Sequence, residues 1–178
     1  MPVDAKMLNE MVPLARAMTG DSFCQRFTHP FMVGKEVIEE EFNFRTVVAR
    51  ESTLQGKAPD GPLRIRDQVF PILKPGEALK DGTRIFLGRV ASNDLVVPHP
   101  TVSKLHAYFV REKDRWWLVD VGSSNGTKLN GMRAPVRAKV SINDGDTLLF
   151  GRCAFTFMSA RRLFERLTAM PEPSPGAS

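Results

Sequence analysis

From Leu63 onward, apolar residues recur in short alternating runs, each closed within a few positions by a turn signal. The pattern predicts strands over Val69 to Leu73, Arg84 to Leu87, Asp94 to Val97, His106 to Val110, Trp116 to Val121, Thr127 to Leu129, Val136 to Val140, Thr147 to Phe150 and Ala154 to Met158. Pro75-Gly76, Asp81-Gly82, Pro98-His99-Pro100, Glu112 to Arg115, Asn125-Gly126, Asn130-Gly131 and Asn143-Asp144-Gly145 separate them. Within one strand, Trp116, Leu118 and Asp120 fall on one face, and Trp117, Val119 and Val121 on the other. Strands and breakers at such regular spacing predict an all-β sandwich.

The N-terminal third has a different texture. Met7, Leu8, Met11, Val12, Ala15 and Met18 keep helical spacing over Asp4 to Thr19, with Asp4 placed to cap the start, Gly20 to end it and Pro13 to kink or split it. A second helical turn fits Asp21 to Phe27, stopped by His29-Pro30. The alternation Phe42, Phe44, Thr46, Val48 predicts a strand, with Phe31 to Val33 as a partner. Gly56-Lys57-Ala58-Pro59-Asp60-Gly61-Pro62 then marks a linker. The organisation expected is an accessory segment over 1–62, a β domain over 63–160, and a short helix with a disordered tail over 161–178. The accessory segment has too patchy a core to fold by itself, so it is expected to pack on the sandwich or to serve as a docking arm.

A hydrophobic fraction of 42% and a charged fraction of 25% are those of an ordinary globular chain. Because no apolar run approaches the ~20 residues of a membrane span and no secretory pattern opens the chain, a bacterial cytoplasmic location is expected. Cys24 and Cys153 have no metal-ligand spacing and are read as reduced thiols. The net charge of +5 suits an anionic partner without choosing among phosphopeptide, nucleic acid and membrane surface.

The stretch from Gly88 to Gly131 narrows that choice. It carries Gly88-Arg89, Asn93-Asp94, Ser103-Lys104-Leu105-His106 and Ser123-Ser124-Asn125-Gly126-Thr127-Lys128-Leu129-Asn130-Gly131, all between strand-patterned segments. A phosphothreonine presents roughly −1.5 to −2 charges and three strong acceptor oxygens. Arg89 offers a guanidinium fork for two of them. Ser103 and Ser124 add hydroxyls, and Lys104 adds an ammonium. Asn125 both donates and accepts, which suits the ligand's main chain, and Gly126 permits a positive φ.

These blocks, in this order, resemble the forkhead-associated (FHA) family pattern: Gly-Arg, then Ser-x-x-His, then Asn-Gly-x-x-x-Asn-Gly. The late Asp144-Gly145-Asp146 and Phe150-Gly151 agree with it, and the resemblance runs from about Leu63 to Ser159. It implies an eleven-strand β-sandwich that binds phosphothreonine peptides through loops at one end, with no cofactor, no metal and no catalysis. It also implies that Arg89 and Ser103 hold the phosphate, Lys104 and Ser124 assist, and Asn125 holds the peptide main chain. Gly88, His106, Gly126 and Asn130 are implied to shape the site.

His106 lacks the partners of a catalytic set, and His29 and His99 show no ligand spacing, so a structural histidine is expected. Asp144-Gly145-Asp146 lacks the other acidic ligands of a calcium loop and is expected to be a turn. Lys128, Arg133, Arg137 and Lys139 form a basic run read mainly as a solvated face, with Lys128 or Arg133 in reach of ligand residues beyond the phosphothreonine. The function expected is a phosphothreonine-dependent adaptor, not an enzyme, whose partner is a substrate of a Ser/Thr kinase or the kinase itself. The alternatives are a phosphorylation-independent regulator and, with no helix-turn-helix or RNA-binding signature behind it, a nucleic-acid-binding protein. Thr53, beside the linker, or Thr28 would on phosphorylation compete for the same pocket at high effective concentration.

Overall fold

The computed structural model describes residues 5–37 and 65–171. In chain order the elements are β1 (Lys6–Met7), α1 (Leu8–Arg16), α2 (Gly20–Arg26), β2 (Phe31–Val37), β3 (Gln68–Pro71), β4 (Arg84–Gly88), β5 (Leu95–Val96) and β6 (Ala107–Glu112). They continue with β7 (Arg115–Asp120), β8 (Thr127–Leu129), β9 (Met132–Arg133), β10 (Val140–Ile142), β11 (Thr147–Phe150), β12 (Cys153–Met158) and α3 (Ala160–Ala169). The strands form a seven-stranded sheet, β1-β3-β2-β12-β11-β8-β9, and a five-stranded sheet, β10-β7-β6-β4-β5. Ile85, Leu87, Phe109, Leu118, Leu148, Phe150 and Phe155 fill the space between the sheets, all fully buried. The all-β sandwich is therefore the fold, with the short β1 a twelfth strand beside the eleven expected.

One of those strands lies upstream of the linker. Phe31, Met32 and Val33 are at most 2% exposed, which a strand achieves only when both of its faces are covered. Met32 points into the core between the sheets, while Phe31 and Val33 point outward with Val69 and Met158. On that outer face lie Leu8, Met11, Val12 and Ala15 of α1, Phe23 of α2, and Leu163 and Leu167 of α3. Burying each large apolar side chain there stabilises by roughly 1.5–3 kcal/mol. The helices are pinned at their rims by Arg161 to Asp21 at 2.6 Å, by Arg166 to Asp67 at 3.3 Å and by the Arg16 guanidinium donating to the Met170 carbonyl at 2.7 Å. Residues 5–37 are thus woven into the fold: β2 pairs with β12 on one side and with β3 on the other. β2, upstream of Pro62, and β3, downstream of it, are therefore neighbours in one sheet. The strand expected over Phe42 to Val48 and the linker itself lie outside the described residues.

Local differences have local causes. The first helix begins at Leu8, not near Asp4, because Lys6 and Met7 pair with β3 while Glu10 accepts the Met7 N–H at 3.0 Å. Gly20 opens α2 instead of ending α1, since the Thr19 side chain accepts the Ser22 N–H and caps the second helix. The strand expected over Val136 to Val140 contracts to Val140–Ile142. Val136 makes only an isolated bridge to Asp120, and Arg137 has φ of 61°, which interrupts an extended run. Asn130-Gly131, at φ of 50° and 84°, is a two-residue hairpin that returns the chain as β9, a strand the pattern of breakers did not predict. The short helix expected after residue 160 is α3, Ala160–Ala169. No helix among the described residues is long and apolar enough to cross a membrane, and both cysteines are free thiols.

A fragment beginning at Leu63 would leave β3 and β12 with their facing ladders unpaired, exposing two adjacent edges. It is expected to lose the cooperative thermal transition of the full chain in circular dichroism. Cooperative melting of that fragment near the full-chain temperature would show that β2 is dispensable.

Candidate functional site

The end of β4 meets the loop before β6 without room for a side chain. A Cβ on Gly88 would lie 2.2 Å from the Lys104 carbonyl oxygen and 2.7 Å from Asn93 Nδ2. Glycine therefore lets the two main chains touch, and the next residue, Arg89, donates its N–H to the Ser103 carbonyl at 2.9 Å. Asn93, only 5% exposed, completes the join by donating from Nδ2 to the carbonyls of Val90 and Lys104, both at 2.8 Å.

His106 links this pair of segments to a third. Its Nδ1 accepts the Ser103 N–H at 3.1 Å, and its Nε2 donates to the Gly126 carbonyl at 3.3 Å. A ring that accepts at one nitrogen and donates at the other is neutral. The loop after β7 then closes on Ser103: the Ser124 N–H donates to Ser103 Oγ at 3.0 Å, and the two hydroxyl oxygens are 3.5 Å apart. Asn125 Nδ2 donates to the Thr101 carbonyl at 2.8 Å, which leaves its Oδ1 outward on an exposed residue. Gly126, at φ of 79°, adopts a conformation that side chains avoid.

The structure therefore brings Arg89, Ser103, Ser124 and Asn125 together at one end of the sandwich. Arg89 is half-buried, and its Nε is enclosed with no hydrogen-bond partner. Lys104 shares the Ser103 loop and is exposed. Asn130 stands apart. Register carries β8 away from the Gly126 end, and the Asn130 amide group bonds to Asp146 Oδ1 and to the Thr147 N–H, each at 2.8 Å.

The FHA domain family matches residues 85–151, which contain this whole cluster. The chain carries an FHA domain. It is 36% identical over 101 residues to the glycogen accumulation regulator GarA of Mycobacterium tuberculosis, covering 49% of this chain and 60% of GarA. It is also 36% identical over 75 residues to an oxoglutarate dehydrogenase inhibitor of Corynebacterium jeikeium, covering 42% of this chain and 50% of the inhibitor. The chain thus matches about half to three-fifths of the length of these two relatives. Among solved structures, Mycobacterium tuberculosis EmbR in complex with a low-affinity phosphopeptide shares 29% identity over 52% of this chain and 22% of EmbR, with a TM-score of 0.44.

Beneath the loops of the FHA domain lies a carboxylate that no sequence motif announced. Asp120, 1% exposed, accepts from the Gly122 and Ser123 N–H groups at 2.8 Å and from the Ser123 and Thr127 hydroxyls at 2.6 Å. Burial alone pushes its pKa up. The four hydrogen bonds outweigh that effect and hold the carboxyl below its ordinary value. Its Oδ2 lies 4.0 Å from His106 Nε2. For His106 burial is the larger effect and lowers the pKa, opposed by Asp120 and by the Gly126 carbonyl. The histidine is therefore structural, held neutral between loops.

Two more positioning residues escaped sequence reasoning. Thr101 holds Asn125 through its carbonyl and accepts the Arg152 N–H on Oγ1 at 3.0 Å. Nothing in its neighbourhood in the sequence signals this. Asn93 carried a signal, as part of the Asn-Asp pair, but its contacts span loops. An acidic residue on the core-facing side of a strand, as Asp120 is, was the clue available for the buried carboxylate.

Two open concavities lie elsewhere. Openings of about 580 Å³ and 640 Å³ border the β6–β7 hairpin, at the end of the sandwich opposite Arg89. Thr28 lines the first of these, and Thr53 lies outside the described residues. The Arg89 cluster lies on a rim of loops, with Lys104, Ser124 and Asn125 exposed.

One buried and two half-buried histidines shape the acid response. His106 has a folded pKa below the ordinary 6.5, so below that value the unfolded chain binds the proton more readily. Its contribution to stability is complete above pH 6.5 and is lost as pH falls toward the folded pKa. His29 and His99 are lowered too, so they add to the same slope. Urea denaturation is expected to show stability falling from pH 7 to pH 5, more shallowly in His106→Gln. An unchanged slope in that variant would remove His106 from the account.

Proposed function

We propose that this chain is a phosphothreonine-dependent, non-catalytic adaptor that docks through Arg89, Ser103, Lys104, Ser124 and Asn125 onto a protein phosphorylated by a Ser/Thr kinase, or onto the kinase itself. The observation that carries the reading is the Arg89 Nε, enclosed and without a partner, on a residue whose main chain is bonded to the Ser103 loop. A buried donor left unmade is unfavourable by about 1–3 kcal/mol, and a phosphate oxygen would satisfy it. In this reading the guanidinium takes the phosphate, the two hydroxyls and the Lys104 ammonium take its remaining oxygens, and the Asn125 carbonyl oxygen accepts a peptide N–H.

Pre-organisation supports the reading. Ser103 Oγ is already oriented by the Ser124 N–H and Asn125 is clamped to Thr101, so little ordering is required on binding. That the two matched relatives are a regulator and an inhibitor favours a role in control over one in catalysis.

Truncating one partner of a desolvated charged contact costs about 2–5 kcal/mol. Arg89→Ala is accordingly expected to weaken a phosphothreonine peptide by about 30-fold or more in titration calorimetry, with unchanged thermal unfolding. Equal affinity of the intact chain for phosphorylated and unphosphorylated peptide would reject the mechanism.

A further inference from the structure

Lys128 and Arg133 face each other directly across the β8–β9 ladder and project from the same side of the sheet. Like charges placed so are destabilising unless something neutralises them. Neither has an ion pair or a hydrogen bond to its side chain among the described residues, whereas Lys139, Arg111, Arg161 and Arg166 each hold a carboxylate. The unneutralised pair sits immediately beside the Arg89 cluster. A Cβ on Gly126 would lie 2.8 Å from Arg133 Nη2 and 2.9 Å from its Cζ, so the guanidinium rests on the main chain next to Asn125. Gly126 itself is held from beneath: its carbonyl accepts both the His106 ring and the Gly151 N–H. The Ala134 N–H donates to the Thr127 carbonyl at 2.9 Å and fixes β9 against β8. Arg133 is therefore an exposed guanidinium at a defined place on a rigid support, one residue from the side chain assigned to the ligand's main chain.

We infer that Arg133, with Lys128 behind it, selects phosphothreonine ligands that carry an acidic side chain near the phosphothreonine. The inference rests on the proposed phosphothreonine reading and deepens it. The phosphate neutralises Arg89, and a second anion on the same peptide neutralises the β8–β9 pair. A guanidinium lying flat on a glycine leaves its outer N–H groups for a carboxylate, with which it can pair two bonds at a time. Because Arg133 is exposed, the pair adds selectivity and rate of encounter more than affinity.

The test uses the full chain and a series of phosphothreonine peptides in which each flanking position in turn is Asp or Asn. At one or more positions Asp is expected to bind about two- to fivefold more tightly than Asn, a preference that shrinks in high salt. Arg133→Ala should abolish that preference while binding the Asn peptides as the unaltered chain does, and Arg133→Lys should retain part of it. Phosphothreonine-dependent binding with no Asp preference, or with a preference that survives Arg133→Ala, would overturn the inference and leave the adaptor reading standing. Indifference to the phosphate would remove both. If Arg133→Ala instead abolished steeply salt-dependent retention of single-stranded DNA, the pair would belong to nucleic-acid binding and the inference would fall.

Discussion

A buried carboxylate holds this end of the molecule together. Asp120 ends β7 and, without leaving the core, binds the two N–H groups and two hydroxyls that turn the chain from β7 into β8. An ion in the interior is tolerated only when its lone pairs are filled, so Gly122, Ser123 and Thr127 have little freedom to move. The neutral ring of His106 then carries that order across to the Ser103 loop, and Ser103 carries it to Ser124 and, through its carbonyl, to Arg89. The exposed groups proposed to meet a ligand are thus the outermost members of a network whose fixed point is underneath them.

The same loops separate satisfied charge from unsatisfied charge. Carboxylates match cations at the helix rims and along the β6–β7 hairpin, where they support the fold. Around Gly126, Arg133 and Lys128 have no ion pair among the described residues, and Arg89 encloses an unused donor. Stability by itself would favour neutralising these groups. Left so, they favour the proposal that an outside anion completes the chemistry at this rim.

Much of the sandwich was legible because its signals are local. Alternation placed β4, β6, β7, β8, β11 and β12 to within a residue or two, since each is covered on a face that repeats every second residue. Where the local signal was ambiguous, the reading missed. Asn130-Gly131 stops one strand and starts another with equal force, and the two-residue β9 is too short to show periodicity. Phe31-Met32-Val33 reads as an apolar run because β2 is buried on both faces, and such a run does not say which strands flank it. Nor does the composition near Pro62 say that β2, upstream of it, pairs with β3, downstream of it.

By itself, the order of residues determined the strand-rich fold and the chemical inventory of the rim: a guanidinium after glycine, two hydroxyls, an amide and a left-handed glycine. Short-range sterics and hydrogen-bonding capacity depend on residue type and spacing, and both are written in the chain. Tertiary structure decided what depends on distance between remote positions. It placed β2 at the heart of the seven-stranded sheet, set Asp120 beneath His106, rested Arg133 on Gly126 and sent Asn130 to a different partner. Those outcomes follow from ladder register and from which polar groups find each other inside the core, and register is a property of paired strands, not of any one of them.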